Sequence, residues 1–401
     1  MKKRAQGGSV VGCAMALLVA LAGCAAPAGG AGTTAATAAT TAAATTTAAS
    51  KAVVAQDVAV SQDKDFGGVY IELSIDDFNA LGFSFGDSVD IRMSNGYTLE
   101  DIPYYNGYYA NVGDTLLVGY PGYPYVEAAI NFGDSLWEVA GLSEGDTATV
   151  TLAEAGKHRA TQEAFDIAYT SKRADYDSDV QFANYRALTG GSMTPGAWYR
   201  SASPVDNEYE RAPYVNALMK QDGIGYVLNL SDSEEEIARF LAQDAESGAD
   251  VSYFQKLHDE GKVGALDLTA AYPLQPFKDK LVAGLVELCN HEGPYLVHCI
   301  EGEDRTGFVC ALLEALAGAS YDEILADYMV TFDNYYRINE ASDPEKYRAI
   351  VELNLNGMLS TLVGCAKDAD MSQMDFSGPA QAYLREGGMT DAQIEALKSR
   401  L

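Results

Sequence analysis

The sequence predicts an α/β fold for residues 156–401, with a central, mainly parallel sheet flanked by helices, preceded by a small β-rich, barrel-like domain. Three observations lead to this prediction. In the C-terminal half, short apolar runs bounded by Gly and Pro alternate with helix-like segments. Residues 66–152 contain instead short runs rich in Val and Tyr that Gly-Asp turns separate, which is typical of β-structure. A strand-like run, a short loop and an apolar helix follow one another between residues 293 and 317.

The first 23 residues are typical of an export signal. Met1–Arg4 is a positively charged start, and residues 10–22 form an apolar stretch too short for a membrane span. Leu21-Ala22-Gly23-Cys24 resembles the bacterial lipobox, which implies removal of residues 1–23 and diacylation of Cys24. Two acyl chains suffice for stable anchoring. We therefore expect an extracytoplasmic lipoprotein held at the cell membrane; an ordinary signal peptide cleaved after Ala25 or Ala26 is the alternative.

Residues 24–52 are nearly all Ala, Thr and Gly, so we predict a tether between the membrane and the folded domains. The domain boundaries we expect are 1–23 for the signal, 24–52 for the tether, 53–155 for a β-rich accessory domain and 156–401 for the α/β domain. The chain carries 57 acidic and 27 basic side chains, a formal net charge of −30. Such a balance disfavours nucleic acid as a partner, because its binding depends on Lys and Arg.

Four runs of the accessory domain are predicted strands: Val69–Leu73, Ser88–Met93, Asp114–Gly119 and Thr147–Leu152. Residues 81–89 and 140–148 echo each other, each with a short apolar element, a Gly-Asp turn and a strand start. This repetition favours a pseudo-symmetric small barrel. Two tyrosine-rich runs, residues 104–109 and 120–125, suit carbohydrate or peptide binding, or packing against the α/β domain.

The most informative stretch is residues 298–307, His-Cys-Ile-Glu-Gly-Glu-Asp-Arg-Thr-Gly. Residues 293–298 before it read as a buried strand, and Phe308–Ala317 after it reads as a helix with Gly318 as C-cap. The loop therefore ends at a helix N-terminus, where backbone N–H groups and the helix dipole favour a dianionic phosphate. We expect the residues between Cys299 and Asp304, which are Ile300, Glu301, Gly302 and Glu303, to surround the bound phosphate.

The residue types in this loop suit phosphate monoester hydrolysis through a cysteinyl-phosphate intermediate. The helix field favours the thiolate of Cys299, which is the nucleophilic form. The planar fork of Arg305 can hold two phosphate oxygens and stabilise the transition state. Thr306 could donate a hydrogen bond to the sulfur in the second step, and His298 is expected to orient the loop through its imidazole.

These residues resemble the signature of the cysteine-dependent tyrosine phosphatase superfamily, which is His-Cys, five residues, Arg, then Ser or Thr. Three further segments resemble a bacterial branch that includes secreted tyrosine and phosphoinositide phosphatases: Phe182–Arg186, Trp198–Pro204 and Tyr226–Asp232. The resemblance covers roughly residues 160–401. It implies a phosphorylated protein or a small phosphomonoester as substrate and no cofactor.

The general acid has two candidates. The Trp-Pro-Asp motif of many superfamily members is not in the sequence. The bacterial branch uses an aspartate just before the arginine, a position that Asp304 occupies; the rival is Asp267, where a separate acid loop could lie. The branch usually has lysine where this chain has Glu303. Negative charge at Glu301, Glu303 and Asp304 would oppose a phosphate dianion, so a degenerate phosphatase that serves as a surface binding protein is the alternative function.

Neither metal nor nucleotide is expected at this site. The four histidines lack metal-ligand spacing, and the sequence has no Gly-rich nucleotide loop. Cys289, Cys310 and Cys365 could contribute to a disulfide, but spacing alone cannot pair them.

Overall fold

The computed structural model describes residues 53–64, 67–111, 113–131, 133–365 and 369–401. The predicted signal, the tether and Cys24 lie outside these residues, so their assignments remain predictions. Within the described part of the chain, no helix combines the length and apolar character that crossing a bilayer requires.

The N-terminal part is a closed barrel with the strand order β1-β2-β6-β5-β4-β3-β7. Its strands are β1 (Val54–Gln62), β2 (Val69–Ile71), β3 (Ser88–Met93), β4 (Thr98–Tyr105), β5 (Thr115–Val118), β6 (Val126–Ile130) and β7 (Thr147–Glu154). Neighbours are antiparallel except β4 and β5. All four predicted strands are present, and β1, β4 and β6 are additional. The pattern of the tyrosine-rich run at residues 104–109 predicts a loop, but its first two residues, Tyr104 and Tyr105, belong to β4.

The two echoing segments fold alike. Each follows a short helix, α1 (Ile75–Ala80) or α2 (Leu136–Val139), and leads into β3 or β7. In the first segment the amide of Ser84 donates to the Asp87 carboxylate over 2.7 Å, and in the second the amide of Ser143 donates to Asp146 over 2.9 Å. The strands that follow, β3 and β7, pair directly with each other. Local turn chemistry therefore repeats at both sides of this seam.

The C-terminal part has a five-stranded sheet with the order β11-β10-β12-β9-β8. Its strands are β8 (Arg186–Ala187), β9 (Trp198–Ser201), β10 (Tyr226–Asn229), β11 (Val263–Ala265) and β12 (Tyr295–His298). The four strands from β11 to β9 run parallel, and only β8 is antiparallel to its neighbour. Mixed α/β architecture with a mainly parallel sheet is thus present as predicted.

Helices surround this sheet and bury two large apolar clusters against it, the smaller of which includes residues of α5, α6 and α7. They are α3 (Arg159–Phe165), α4 (Asp179–Phe182), α5 (Ala212–Asp222), α6 (Glu234–Ser247), α7 (Ser252–Asp259), α8 (Gln275–Leu288), α9 (Asp304–Leu316), α10 (Tyr321–Tyr336), α11 (Pro344–Ile350), α12 (Asn356–Val363), α13 (Ser377–Glu386) and α14 (Asp391–Lys398), with a 3₁₀ turn at Arg173–Asp175.

The sequence pattern predicts helices over residues 275–288, 321–336 and 346–365. Helices α8 and α10 have the first two of these bounds. Of residues 346–365, all up to Val363 lie in an uninterrupted helical segment that ends there. A π-helical turn at Val351–Leu355 connects α11 to α12 within this segment. Helix α9 begins at Asp304 and not at Phe308, because the last residues of the loop that follows Cys299 already have helical geometry. This early start brings the helix N-terminus closer to Cys299.

The sheet brings three loops to one edge. Asn229 of β10 pairs with His298 of β12, and His298 pairs with Ser201 of β9, so the carboxyl ends of these three parallel strands are level. The segments that follow them therefore emerge side by side, around the central strand β12. Open α/β sheets bind ligands at this kind of edge.

The barrel contacts the C-terminal part through its tyrosines. The ring of Tyr109 stacks on Phe165 of α3, with the ring centroids 5.0 Å apart. The side chain of Gln162 donates to Asn106 over 2.7 Å. For the run at residues 104–109, packing against the α/β domain is therefore an observed contact.

Candidate active site

The loop between β12 and α9 holds its carbonyl groups outward. The carbonyl of Ile300 accepts from the Ser203 amide at 2.8 Å, and that of Gly302 accepts from the Arg200 guanidinium at 2.8 Å. The Glu301 carbonyl accepts from the Tyr335 hydroxyl at 2.8 Å. Because each trans peptide unit directs its N–H opposite to its carbonyl, the amides that follow these carbonyls face the interior of the loop. The geometry is that of an anion-binding nest.

Gly302 is required for this loop. Its backbone has φ +73°, a left-handed conformation that favours glycine. A Cβ atom at this position would lie 2.3 Å from the carbonyl oxygen of Ser201. The loop therefore packs too closely on the end of β9 for any side chain at this residue.

A buried ion-pair network supports the loop from below. Asp327 of α10 accepts from Arg186 at 2.7 Å and from Arg200, and Arg200 is the residue that also holds the Gly302 carbonyl. Burial alone would raise the pKa of Asp327, but the two guanidinium groups lower it below its usual value. The network is thus ionised, which keeps both arginines in place.

Cys299 and Arg305 lie at opposite ends of the loop. Cys299 directly follows β12 and is buried, with 3% of its surface exposed. Nη1 of Arg305 donates to the carbonyl of Leu268 at 3.0 Å, so the loop after β11 holds the guanidinium at the rim. Both groups affect the pKa of Tyr272. Burial raises this pKa first, the charges of Asp304 and Cys299 raise it further, and the charge of Arg305 lowers it.

His298 is a neutral imidazole. Burial lowers its pKa to about 4, and its Nδ1 lies 3.0 Å from the Cys299 carbonyl oxygen. Because a carbonyl only accepts, Nδ1 carries the proton and donates it to the backbone. This contact agrees with the expectation that His298 orients the loop.

Thr306 does not make the contact that we expected. Its hydroxyl is fully buried and has no hydrogen-bond partner among the described residues, so a bond to the Cys299 sulfur is not formed in this structure. The side chain lies in the first turn of α9, two residues after the helix begins.

The three carboxyl groups of the loop have different surroundings. Asp304 reaches the surface, but protein atoms crowd its carboxyl; this partial burial and the charge of Glu301 raise its pKa to about 6, against the opposing charge of Arg305. Glu303 is 9% exposed and accepts from the Tyr336 hydroxyl at 3.1 Å. Burial, Asp304 and Glu301 raise the pKa of Glu303 well above its usual range, against the lowering effect of the Tyr336 hydrogen bond.

Glu301 is tied to an aromatic cage around a buried arginine. Its carboxylate accepts from the Tyr169 hydroxyl, while its carbonyl accepts from Tyr335. The guanidinium of Arg211 lies 4.5 Å from the centroid of the Tyr169 ring and 4.2 Å from that of Tyr335, and Arg211 is 2% exposed. The cage thus places a permanent positive charge behind the loop, close to its acidic side chains.

Asp267 occupies a different position. It is exposed and has φ +45°, and its carboxylate lies 3.2 Å from the Lys280 ammonium of α8. Its neighbour Leu268 contacts Arg305, so the segment borders the site while the Asp267 carboxylate faces a cation of its own. The geometry favours Asp304 over Asp267 as a group that acts inside the loop.

Sequence reasoning missed the aromatic groups around the loop. Tyr169, Tyr335 and Tyr336 hold its acidic residues, and Arg211 lies behind it. The buried ring of Tyr272 stacks on Phe308 of α9 with the ring centroids 4.4 Å apart. Apart from the Tyr335-Tyr336 pair at the end of α10, no local pattern marks them. Each acts through a contact with a residue more than 30 positions away.

The parallel sheet, the amide-lined loop and its cysteine and arginine define a protein-tyrosine-phosphatase-like hydrolase. Among the described residues there is no group of three or more His, Cys, Asp or Glu side chains suited to a metal ion. A model of the tyrosine phosphatase family matches residues 181–401, more than half of the chain, and the chain therefore belongs to this family.

Two curated relatives agree with this membership. The chain is 25% identical over 180 residues to the "Triple specificity protein phosphatase PtpB" of Mycobacterium tuberculosis, a match that covers 42% of this chain and 65% of that protein. It is 30% identical over 105 residues to the "Putative tyrosine-protein phosphatase H16_A0669" of Cupriavidus necator, covering 26% of this chain and 38% of that protein. The chain thus spans less than two thirds of the length of each of these relatives.

Proposed function

We propose that the protein hydrolyses phosphate monoesters through a cysteinyl-phosphate intermediate and acts as a protein tyrosine or dual-specificity phosphatase. One observation carries the proposal: the loop that joins β12 to α9 turns its carbonyls outward and its amides inward, between Cys299 and Arg305. Family membership supports the reaction class.

In the first step, the Cys299 thiolate attacks phosphorus and the phosphorus–oxygen bond of the ester breaks. Arg305 and the loop amides hold the non-bridging oxygens, and Asp304 transfers its proton to the departing oxygen. In the second step, Asp304 takes a proton from water, which attacks phosphorus and breaks the phosphorus–sulfur bond. The products are the alcohol or phenol, inorganic phosphate and the regenerated thiolate.

The location is a separate part of the proposal. The lipobox-like segment that ends at Cys24 supports a lipoprotein on the outer face of the membrane, with residues 24–52 as a tether. Metabolic labelling with an alkyne fatty acid should mark the parent protein and fail to mark Cys24→Ala. Equal labelling of both would remove the anchor from the proposal and leave the reaction untouched.

The reaction is tested with p-nitrophenyl phosphate in the presence of a metal chelator. We expect turnover by the parent protein and a loss of at least about 10³-fold in kcat for Cys299→Ser, because removal of a catalytic nucleophile typically has an effect of this size. The variant should still bind phosphate, since its amides and Arg305 are unchanged. Activity that survives in Cys299→Ser would overturn the mechanism.

A degenerate phosphatase that serves as a surface binding protein is the second candidate. The observation that favours it is the acidic character of the loop, where three carboxyl groups lie within four residues. Alkylation of Cys299 by iodoacetamide at pH 7 distinguishes the two. Fast alkylation that vanadate blocks would support the enzyme, and a thiol of ordinary reactivity would support the binding protein.

A further inference from the structure

A second cavity opens beside the phosphate loop. It has a volume of about 430 Å³ and lies between the segment after β9 and helix α6. Its lining contains three acidic residues, Asp206, Glu208 and Asp244, and one basic residue, Arg239. The remaining lining residues are Phe240 and the neutral polar Asn207, Gln243 and Ser247. The proposed reaction uses none of these residues.

Asp244 is an unpartnered carboxyl at the base of this cavity. The residue is 4% exposed, and its buried Oδ2 makes no hydrogen bond with any described residue. Burial and the charge of Asp206 raise the pKa of Asp244 to about 6. Burial also raises the pKa of Asp206 to about 6, with contributions from Asp232 and Glu208 that Arg239 opposes. The carboxylate of Asp206 accepts from the Glu208 amide at 3.1 Å, but neither Asp206 nor Asp244 forms an ion pair with a described residue.

Arg239 does not supply this ion pair. Its guanidinium lies 3.7 Å from the Glu236 carboxylate and 4.8 Å from the centroid of the Phe240 ring, and its side chain is 49% exposed. It therefore lies at the rim with contacts of its own. The described residues supply no other positive side chain to the lining.

The cavity is close to the phosphate loop. The Ser203 amide donates to the Ile300 carbonyl at 2.8 Å, and the Ser203 hydroxyl accepts from the Asp206 amide at 2.9 Å. One serine thus joins the loop to the cavity wall. The three residues from Ser203 to Asp206 span at most about 11 Å of extended chain. A peptide substrate whose phosphate is bound in the loop would therefore have side chains near Asp206 only a few positions from its phosphorylated residue.

The lining selects an organic cation. The described residues contain no group of three or more His, Cys, Asp or Glu side chains suited to a metal ion. The cavity has room for a long side chain next to the ring of Phe240. A lysine or arginine side chain offers an apolar stem for the ring and a charged end for the carboxylates. The net charge of −30 attracts basic segments to the protein as a whole.

We propose that this cavity is a substrate subsite that accepts a basic side chain of a phosphoprotein, a few residues from the phosphorylated residue, through Asp206 and Asp244. The inference rests on the proposed function, since it names the substrate class of the same site. It makes the protein selective for phosphotyrosine in a lysine-containing context.

The test uses a set of phosphotyrosine peptides that share one background sequence. Each peptide carries a single lysine at one of the three positions before or the three positions after the phosphotyrosine, and a matched peptide has norleucine in place of that lysine. We expect the parent protein to prefer the lysine peptide about three- to tenfold in kcat/KM at one or two positions. Asp244→Asn and Asp206→Asn should each reduce this ratio to within about twofold of unity. Glu246→Gln, which removes an exposed carboxylate of the same helix outside the cavity, should keep it.

The pH dependence provides an independent check. Because both carboxyls have a pKa of about 6, the preference of the parent should be complete at pH 7.5 and vanish near pH 5. A parent without lysine preference at any position, or a preference that both asparagine variants keep, would overturn the proposal.

Peptide binding separates this proposal from the reaction itself. Fluorescence anisotropy with Cys299→Ser measures the lysine and norleucine peptides without turnover, alone and with Asp244→Asn added. If the parent proves inactive but Cys299→Ser still binds the lysine peptide more tightly, and Asp244→Asn removes that difference, the proposed function fails and the subsite stands. Equal binding of both peptides would refute the subsite, whatever the activity.

Discussion

Two buried glutamates, one in each domain, each accept a hydrogen bond from a tyrosine hydroxyl. Glu127 of the barrel accepts from the Tyr108 hydroxyl at 3.0 Å, and Glu303 of the phosphate loop accepts from the Tyr336 hydroxyl at 3.1 Å. Burial is the first cause of a raised pKa in both, to about 7 for Glu127 and well above the usual range for Glu303. The two glutamates therefore share a tyrosine donor and a pKa raised by burial, and they differ in the residues around them.

The surroundings decide what ionisation affects. Glu127 lies on β6 under a cluster of tyrosines, with Asp63 as its charged neighbour. Glu303 has Asp304, Glu301 and Cys299 as neighbours, all in the proposed catalytic loop. Ionisation of Glu127 should thus change the stability of the barrel, whereas ionisation of Glu303 should change the electrostatics of phosphate binding. Four substitutions test this contrast.

The largest effect is expected for Asp304→Asn, which tests whether Asp304, the residue next to Glu303, is the general acid. We expect kcat to fall about 10²- to 10³-fold with an aryl phosphate, because an amide cannot protonate the leaving group. In the parent, kcat should decline as pH rises above about 6, since Asp304 must be protonated in the first step. A pH–rate profile measures both effects.

The matched substitution is Asp267→Asn, which should leave kcat within about twofold of the parent if Asp304 is the acid. A large loss in Asp267→Asn together with a small one in Asp304→Asn would reverse the assignment.

Glu127→Gln tests the barrel side of the contrast. The folded-state pKa of Glu127 is raised from 4.5 to about 7, so the parent loses stability as pH rises from about 4.5 to about 7 and no further above that. The variant should lack this loss and be more stable at pH 8 by roughly 1–3 kcal/mol, with no gain near pH 4. Thermal unfolding at several pH values measures the difference.

Glu72→Gln, at an exposed site of the same domain, serves as the control and should leave the pH profile of the melting temperature unchanged. If the melting temperature of Glu127→Gln had the same pH profile as that of the parent, the expectation that the buried Glu127 titrates with a raised pKa would be contradicted. Activity towards p-nitrophenyl phosphate should be the same in the parent and Glu127→Gln.

Tyr169→Phe tests how the third acidic side chain is held. Loss of the hydroxyl frees the Glu301 carboxylate, which can then turn towards the bound phosphate and repel it. We expect KM to rise about three- to fivefold with little change in kcat. Adding Glu301→Gln should restore the parental KM, and a KM that stays high in the double variant would point to a structural defect instead.

Glu303→Gln should have the smallest effect. Because burial and neighbouring carboxyls raise the pKa of Glu303 well above its usual range, an isosteric amide should leave kcat/KM within about twofold of the parent at pH 6–7. A tenfold gain at pH 7 would mean that the parent carries a negative charge here and that its loss relieves repulsion. The measurement is a kcat/KM profile of both proteins over pH 5–9.

Much of the local structure followed from short-range chemistry. Ser320 and Thr390 begin capping boxes with Glu323 and Gln393, so α10 and α14 start where neighbouring residues require it. The Gly-Asp turns before β3 and β7 satisfy their own amides, which is why the repetition was visible in the sequence. The run from Cys299 to Arg305 is likewise contained in seven residues.

What the sequence determined by itself is therefore the loop, the strand before it, the helix after it and the turns that repeat in the barrel, because each depends on residues within a few positions of one another. Only the tertiary structure decided the partners of the acidic side chains: Tyr169 for Glu301 and Tyr336 for Glu303 come from 132 and 33 positions away. Closure of the barrel and the meeting of Asp206 with Asp244 likewise required the folded chain. Burial and neighbouring charge decide whether a carboxyl is ionised, and both arise only when distant segments pack together.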